Sequence, residues 1–300
     1  MTPRILRPLA TLLLLASAAR AAVPPPAAPQ PQPGPLRVGI RRSSYGYAAK
    51  NKDDAWWIAR AQAYAAQFPG AQPAIIEILS NFDDSGDANI EFPAPPAYHG
   101  AKDHMRFENS GLDHERALAA YDQAGVKAIL EFEPGAADVP ACFDLAQAAF
   151  GKHPSVIGYG IDGEWYKADK GKNKAGVPIG DADAQAWTQK VLAFNKDYTL
   201  FLKHWEPAHM PPKYRHASLW FLNDSQEFAS VAEWMADMKA WGDAFPGSGT
   251  GYQFGYPADS KWWGALANPP REMAARLQKD IASTRYIFWV DFSAGKVAFE

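Results

Sequence analysis

The chain is poor in cysteine. A single one, Cys142, in 300 residues rules out a disulfide within the chain. It shares an apolar helical pattern with Val139, Leu145 and Ala149, which predicts a small packed hydrophobe. The chain also lacks a charge excess. The formal net charge is -3 and no basic stripe interrupts it, so there is no electrostatic footprint for nucleic acid. After the first twenty or so residues no second long apolar run follows, so nothing further predicts a membrane-spanning helix. Metal-ligand patterns are missing too. No His-x-His ends a strand-like run, and His204, His209 and His216 lack helical ligand spacing. The run DDSGDANIE sets Asp83, Asp84 and Asp87 near calcium-loop spacing but breaks the EF-hand order, which reads as a solvated loop. A metal-dependent hydrolase therefore stays a rival reading, and the expectation is that no metal or cofactor is used.

The first residues are expected to be removed. Arg4 and Arg7 precede the apolar run Leu9 to Ala19, and Ala19-Arg20-Ala21 fits a small-x-small cleavage site, the layout of a secretory signal peptide over residues 1–21. No cysteine follows to carry a lipid. Residues 22–35, AVPPPAAPQPQPGP, form a Pro-rich linker in which fixed φ angles and missing donors favour an extended tether. A secreted or periplasmic monomer, free of the membrane after cleavage, is the expectation. The folded part spans 36–300, roughly 265 residues, enough for one large domain.

Eight strand-like runs occur in order: 36–43, 73–81, 126–133, 156–164, 198–205, 218–224, 250–256 and 286–292. Most are rich in β-branched and aromatic residues and end in turn formers. Between them lie segments with apolar residues three and four apart, such as Trp57, Ala61, Tyr64 and Phe68 behind a cap at Asp53 or Asp54. Strands alternating with helices imply parallel pairing through right-handed crossovers. Eight of them predict an α/β fold, a (β/α)8 TIM-like barrel, with irregular or missing helices after strands five and eight where the chain is short. An open doubly wound sheet is the alternative.

Alternation sorts each strand's side chains between the barrel axis and the helices. The apolar partners Leu130 and Phe132 suit the helix layer, so Ile129, Glu131 and Glu133 should point inward. On strand four the inward set is Val156, Gly158, Gly160, Asp162, Glu164 and Tyr166. Gly39, Arg41 and Ser43, then Glu77, Gln253, and Trp289 with Asp291, complete the expected interior. Strand five is ambiguous; Phe201, Lys203 and Trp205 are preferred inward. A barrel built only for stability fills such positions with Val, Ile and Leu. Up to six interior carboxylates are costly unless paired, protonated or solvated.

Carboxylates at the C-terminal ends of barrel strands suit cleavage of a glycosidic bond. One protonates the leaving oxygen while a second supports the oxocarbenium ion. The acid must keep its proton near neutral pH, which like charge and burial against an aromatic wall both favour. Glu164, beside Asp162 and across from Glu133, is the candidate acid; Glu133, Asp162 and Asp291 are candidates for its partner. Asp162-Gly163-Glu164 resembles the Asp-x-Glu that ends strand four in glycoside hydrolase families 18 and 25, which act on chitin-like or peptidoglycan glycans. That resemblance implies Glu164 as acid and Asp162 as its electrostatic partner, able to orient an acetamido group. It also implies Trp289 as the family 18 Trp beneath the sugar. The chain departs from family 18 at Gly160, where a further Asp is expected, and from family 25 in having no aspartate early in strand one.

Trp205, Trp289 and Tyr166 are candidates to stack on sugar faces, and Gln253, Asn223 and Asp224 to bond hydroxyls, with Arg41 as a compensating cation. The segment Ser80 to Ser110 is expected to wall one side of a cleft, and Gly255 to Trp263 to form a loop at the mouth. The reading is a secreted glycoside hydrolase whose partner is a carbohydrate; a non-catalytic carbohydrate-binding barrel is the alternative.

Overall fold

The computed structural model describes residues 34–46, 52–82, 86–96, 98, 104–108, 110–168 and 176–299. The expected leader, most of the linker, and Asp83 and Asp84 lie outside the described residues.

Eight parallel strands close into a barrel: β1 (Arg37–Arg42), β2 (Gln72–Ile78), β3 (Lys127–Phe132), β4 (Val156–Asp162), β5 (Thr199–Lys203), β6 (Leu219–Asn223), β7 (Gly249–Phe254) and β8 (Thr284–Trp289). Each pairs with its sequence neighbour, and β8 returns to β1 with Val38 opposite Ile287. All eight expected strands are present, and the closed order excludes the open sheet.

The helices cover the outside: α1 (Asp54–Ala66), α2 (His114–Ala124), α3 (Val139–Phe150), α4 (Asp181–Phe194), α5 (Val231–Ala244), α6 (Ser260–Trp263), α7 (Pro269–Asp280) and α8 (Asp291–Ala294). Local chemistry sets their starts. Asp53 caps α1 through Trp56 N at 2.9 Å, and Asp138 caps α3. Pro269 and Pro270 open α7, where a missing N–H costs nothing. After β5 there is only a 3-10 turn at Pro207–His209, and after β8 only the four-residue α8, as the short connections require. The stretch after β2 is not a plain loop. It builds a three-stranded sheet from Ser80–Phe82, Ala88–Ile90 and Met105–Phe107.

Two apolar clusters divide at the barrel wall. The inner one holds Ala74, Ile76, Ile78, Ile129, Phe201, Trp220, Leu222, Tyr286 and Phe288. The outer one joins strand backs to helices and contains Trp57, Phe132, Cys142, Trp234 and Trp289. Interior glycines make room for the large rings. A Cβ on Gly160 would meet Phe201 Cζ at 2.0 Å, so only glycine lets that ring cross the axis.

This division corrects three inward assignments. On β2 the interior positions are Ala74, Ile76 and Ile78, so Glu77 faces the helices. There it lies 3.7 Å from Arg42 and accepts hydrogen bonds from His114 (2.8 Å) and Tyr121 (2.9 Å). Apolar residues on both faces of β2 hid its phase, and α2 supplied partners for a buried carboxylate. On β8 the interior takes Tyr286 and Phe288, so Trp289 points outward. At the start of β4 the register shifts opposite Ala128 and Ile129, and Gly158 takes φ 156. This bulge turns Ile157 toward the inner cluster and Val156 toward the outer one, the reverse of strict alternation. Above it Gly160 and Asp162 keep the expected inward phase.

Candidate active site

The C-terminal ends of the strands surround a cleft of about 490 Å³. Its acids are Glu133 after β3, Asp162 ending β4, Glu164 just beyond and Asp224 after β6. Its cations are Arg41 on β1 and Lys203 on β5. Its aromatic walls are Tyr45, Phe82, Trp165, Tyr256 and Phe292, with Asn81 and Gln226 alongside.

Beneath the cleft the charges form a cage. The Lys203 ammonium contacts Asp162 Oδ2 at 2.8 Å and bonds Glu131, all three being buried. Burial works against that ammonium, yet Asp162 and Glu131 outweigh it and hold its pKa well above the ordinary value. Arg41 reaches Asp291 at 3.1 Å and Glu133 at 3.7 Å, and donates to Tyr45, whose hydroxyl bonds Glu133. Asp291 also accepts from the Ser43 amide at 2.8 Å and from its hydroxyl.

Asp162 and Glu164 are set by local backbone. Asp162 ends β4 and caps the 3-10 turn Gly163–Trp165, accepting from Glu164 N at 3.2 Å. That turn ends the strand alternation. Glu164 stays over the cleft, half-buried, while the two following aromatics exchange the places expected of them. Trp165 lines the cleft and stacks on Phe82, centroids 4.9 Å apart and planes at 22°. Tyr166 turns into the helix layer against the Trp187 edge of α4, at 5.1 Å.

The acids perturb one another. Burial, then Asp162 and Asp224, push the Glu164 carboxyl up to about 9. Burial and Asp162 push Glu133 up to about 7. Burial raises Asp224 to about 7 against the pull of Lys203. One carboxylate oxygen from each of Asp162, Glu164 and Asp224 lies within 4.8 Å of the others. Chemically, the mouth offers an acid that keeps its proton near neutral pH beside the Lys203-paired Asp162, under a flat aromatic wall.

The remaining sequence candidates are dispersed. Asp291 is wholly buried beneath the cleft on Arg41 and Ser43. Gln253 is interior and donates to the Tyr256 hydroxyl, so it supports a wall without lining the cleft. Asn223 faces α5, bonding Asp237 at 3.2 Å. Trp205 lies outside the lining, its ring 4.2 Å from His204. Trp289 packs on Phe254 and Trp263, and its indole N–H donates to Ser293 at 2.8 Å. The aromatic lining of the mouth therefore includes Trp165 and Phe82, and not Trp289, Tyr166 or Trp205.

No protein-family model matches the chain, and no curated protein does. Several solved structures align with it at low identity. A spore coat polysaccharide biosynthesis protein from Bacillus subtilis aligns over 87% of this chain and 61% of its own, with 10% identity and a TM-score of 0.45. An FMN-binding beta-glucuronidase from Facaelibacterium prausnitzii aligns over 85% of this chain and 37% of its own, with 14% identity and a TM-score of 0.48. The chain thus spans less than two thirds of either. A beta-mannanase from the blue mussel Mytilus edulis aligns over 88% of both chains, with 7% identity and a TM-score of 0.44.

Tyr45, Asn81, Trp165, Gln226, Tyr256 and Phe292 were not among the sequence candidates for the site. Most lie just past a strand end, where alternation no longer applies. Asp224 was legible, because it continues the interior phase of Trp220 and Leu222. Of the candidate ligands of the rival metal reading, Asp87 pairs with His104 and Arg106, while His204 stacks on His209 at 4.1 Å. Among the described residues, the group spaced to hold a cation contains no histidine.

A second cavity of about 770 Å³ lies outside the barrel, between the short sheet and α2, lined by Phe92, Phe107, Phe150, Glu91 and His114. None of the strand-end acids reaches it, so despite its size it is not the candidate site.

Proposed function

We propose that the protein is an exported glycoside hydrolase that cleaves a polysaccharide or glycan with Glu164 as general acid. The observation that carries this reading is the placing of Glu164 at the mouth beside Asp162 and Asp224, where burial first and then those two acids hold it protonated at neutral pH. A buried acid that keeps its proton can give it to a leaving glycosidic oxygen. Asp162, fixed by Lys203 and by the Glu164 amide, stays in place to stabilise the oxocarbenium ion. The Trp165–Phe82 pair offers an apolar face to a pyranose ring. The barrel works without a metal or cofactor in this reading, and residues 1–21 direct export.

The test is a glycan screen with product analysis, run on wild type beside Glu164→Gln. The expected result is cleavage by wild type, and binding without turnover by the variant. Equal turnover by both proteins removes Glu164 as the acid. Ligand binding with no turnover by wild type leaves a carbohydrate-binding barrel.

A further inference from the structure

The cleft holds more acid than its own cations absorb. Lys203 is taken by Asp162 and Glu131, and Arg41 by Asp291 and Glu133. Asp224 is left over. It lines the cleft, is only 7% exposed, and its Oδ1 has no hydrogen-bond partner among the described residues. A buried acceptor without a donor costs free energy, and more when it is charged. The mouth is therefore built around a missing donor, and the surplus sign says that the donor is positive.

A neutral hydroxyl supplies one proton and no charge. An acetamido group supplies one N–H and adds a carbonyl acceptor among carboxylates. A primary ammonium supplies three donors and the compensating charge. Three oxygens bonding one tetrahedral ammonium at about 2.8 Å stand about 4.6 Å apart. The nearest oxygens of Asp162, Glu164 and Asp224 lie within 4.8 Å of one another, which admits that arrangement. The geometry also fits a sugar. In a 2-amino sugar the nitrogen is vicinal to the anomeric carbon, so it neighbours the leaving oxygen. Two carboxyl groups this close can serve both atoms, one the nitrogen and one the oxygen. A divalent cation is less well served, because the buried Lys203 ammonium already stands 2.8 Å from Asp162 Oδ2.

We propose that the cleft takes a glycan carrying free 2-amino groups, a de-N-acetylated hexosamine polymer, with Asp224 receiving the ammonium and Glu164 the glycosidic oxygen. The inference rests on the glycosidase reading of the same cleft. Asp224, raised to about 7 in the empty cleft, then loses its proton as the ammonium arrives.

The experiment is calorimetric titration of full-length Glu164→Gln at pH 6 with tetramers of glucosamine, galactosamine, their N-acetylated forms and glucose, with calcium chloride as a separate arm. The expected result is that one amino-sugar tetramer binds at least tenfold more tightly than its N-acetylated form and than the glucose tetramer. Adding Asp224→Asn should remove most of that preference. Two buffers of different ionisation heat should show proton release on binding. Equal or tighter binding of the N-acetylated or neutral tetramers overturns the proposal, as does a preference that survives Asp224→Asn, or calcium ions displacing the amino sugar. Should Asp224→Asn not fold, the ligand ranking and the calcium arm still decide. Cleavage of a neutral glycan by wild type, with amino sugars ignored, sinks this inference and leaves hydrolysis standing. Selective amino-sugar binding with no cleavage of any glycan does the reverse.

Discussion

The Lys203 ammonium lies 2.8 Å from Asp162 Oδ2, in a setting where both side chains are almost fully buried. The same ammonium holds Glu131, so one cation from β5 keeps two carboxylates of neighbouring strands in place below the cleft. Removing it strands both. Lys203→Met is expected to destabilise the fold by about 3–5 kcal/mol, the cost of leaving buried charge unpaired. Adding Glu131→Gln should recover part of the loss. Denaturant unfolding of the single and double variants measures both effects.

Glu164 stands at the mouth, half-buried, and among the described residues it has no ion pair. Glu164→Gln is expected to lower kcat by about 10²- to 10⁴-fold, the usual share of a general acid. The Tm should hold near neutral pH, where the carboxyl it replaces is already protonated, and rise above pH 9, where that carboxyl would ionise. Kinetics and a thermal melt of one preparation test the two halves together. A fall in Tm with kcat intact would make the residue structural.

Stability should decline from mildly acidic to alkaline pH. Glu164 is raised to about 9, and Glu133 and Asp224 to about 7, so the folded protein binds more protons than the unfolded chain above their ordinary carboxylate pKa values. Their contribution is complete below those ordinary values and is lost as pH rises through 7 and then 9. Glu77 acts oppositely. Despite burial, Arg42 and His114 hold it below its usual value, so its contribution fades in acid. The Tm is expected to peak near pH 5 and fall toward pH 9, and the slope should flatten in Glu164→Gln. Thermal melts across that range measure it. In the active enzyme, turnover should fall on the alkaline side as Glu164 loses its proton.

Trp165 and Trp289 should separate binding from packing. Trp165 lines the cleft, whereas Trp289 is buried among Phe254, Trp263 and Phe299. If a sugar face gains from the indole about what another ring does, 0.5–1.5 kcal/mol, Trp165→Ala raises KM about 2- to 12-fold. Trp289→Ala is expected to cost about 3–5 kcal/mol of stability instead. Steady-state kinetics and unfolding of both variants would show this crossing of effects.

How far the sequence could be read follows from the same strands. All eight were visible because most are β-branched or aromatic runs that end in turn residues. Phase was legible where one face is marked by glycine or charge, as at Gly39 and Arg41 on β1 or Glu131 and Glu133 on β3. It was hidden where both faces are apolar, as with Ile75 and Ile76 on β2 or Phe288 and Trp289 on β8. The mouth was harder still. Side chains there are aimed by a 3-10 turn and by connections, so Trp165 and Tyr166 could not be told apart by counting from Asp162.

Arg41 and Asp291 are separated by 250 positions in the chain, yet one hydrogen bond joins them. The cage under the cleft is thus completed only when the first and last strands meet. An unfolded chain carries every residue of the site and none of these contacts. The groups that hold the cleft's carboxylates in place are thus shared between the two ends of the folded sequence, so loosening either end loosens the site.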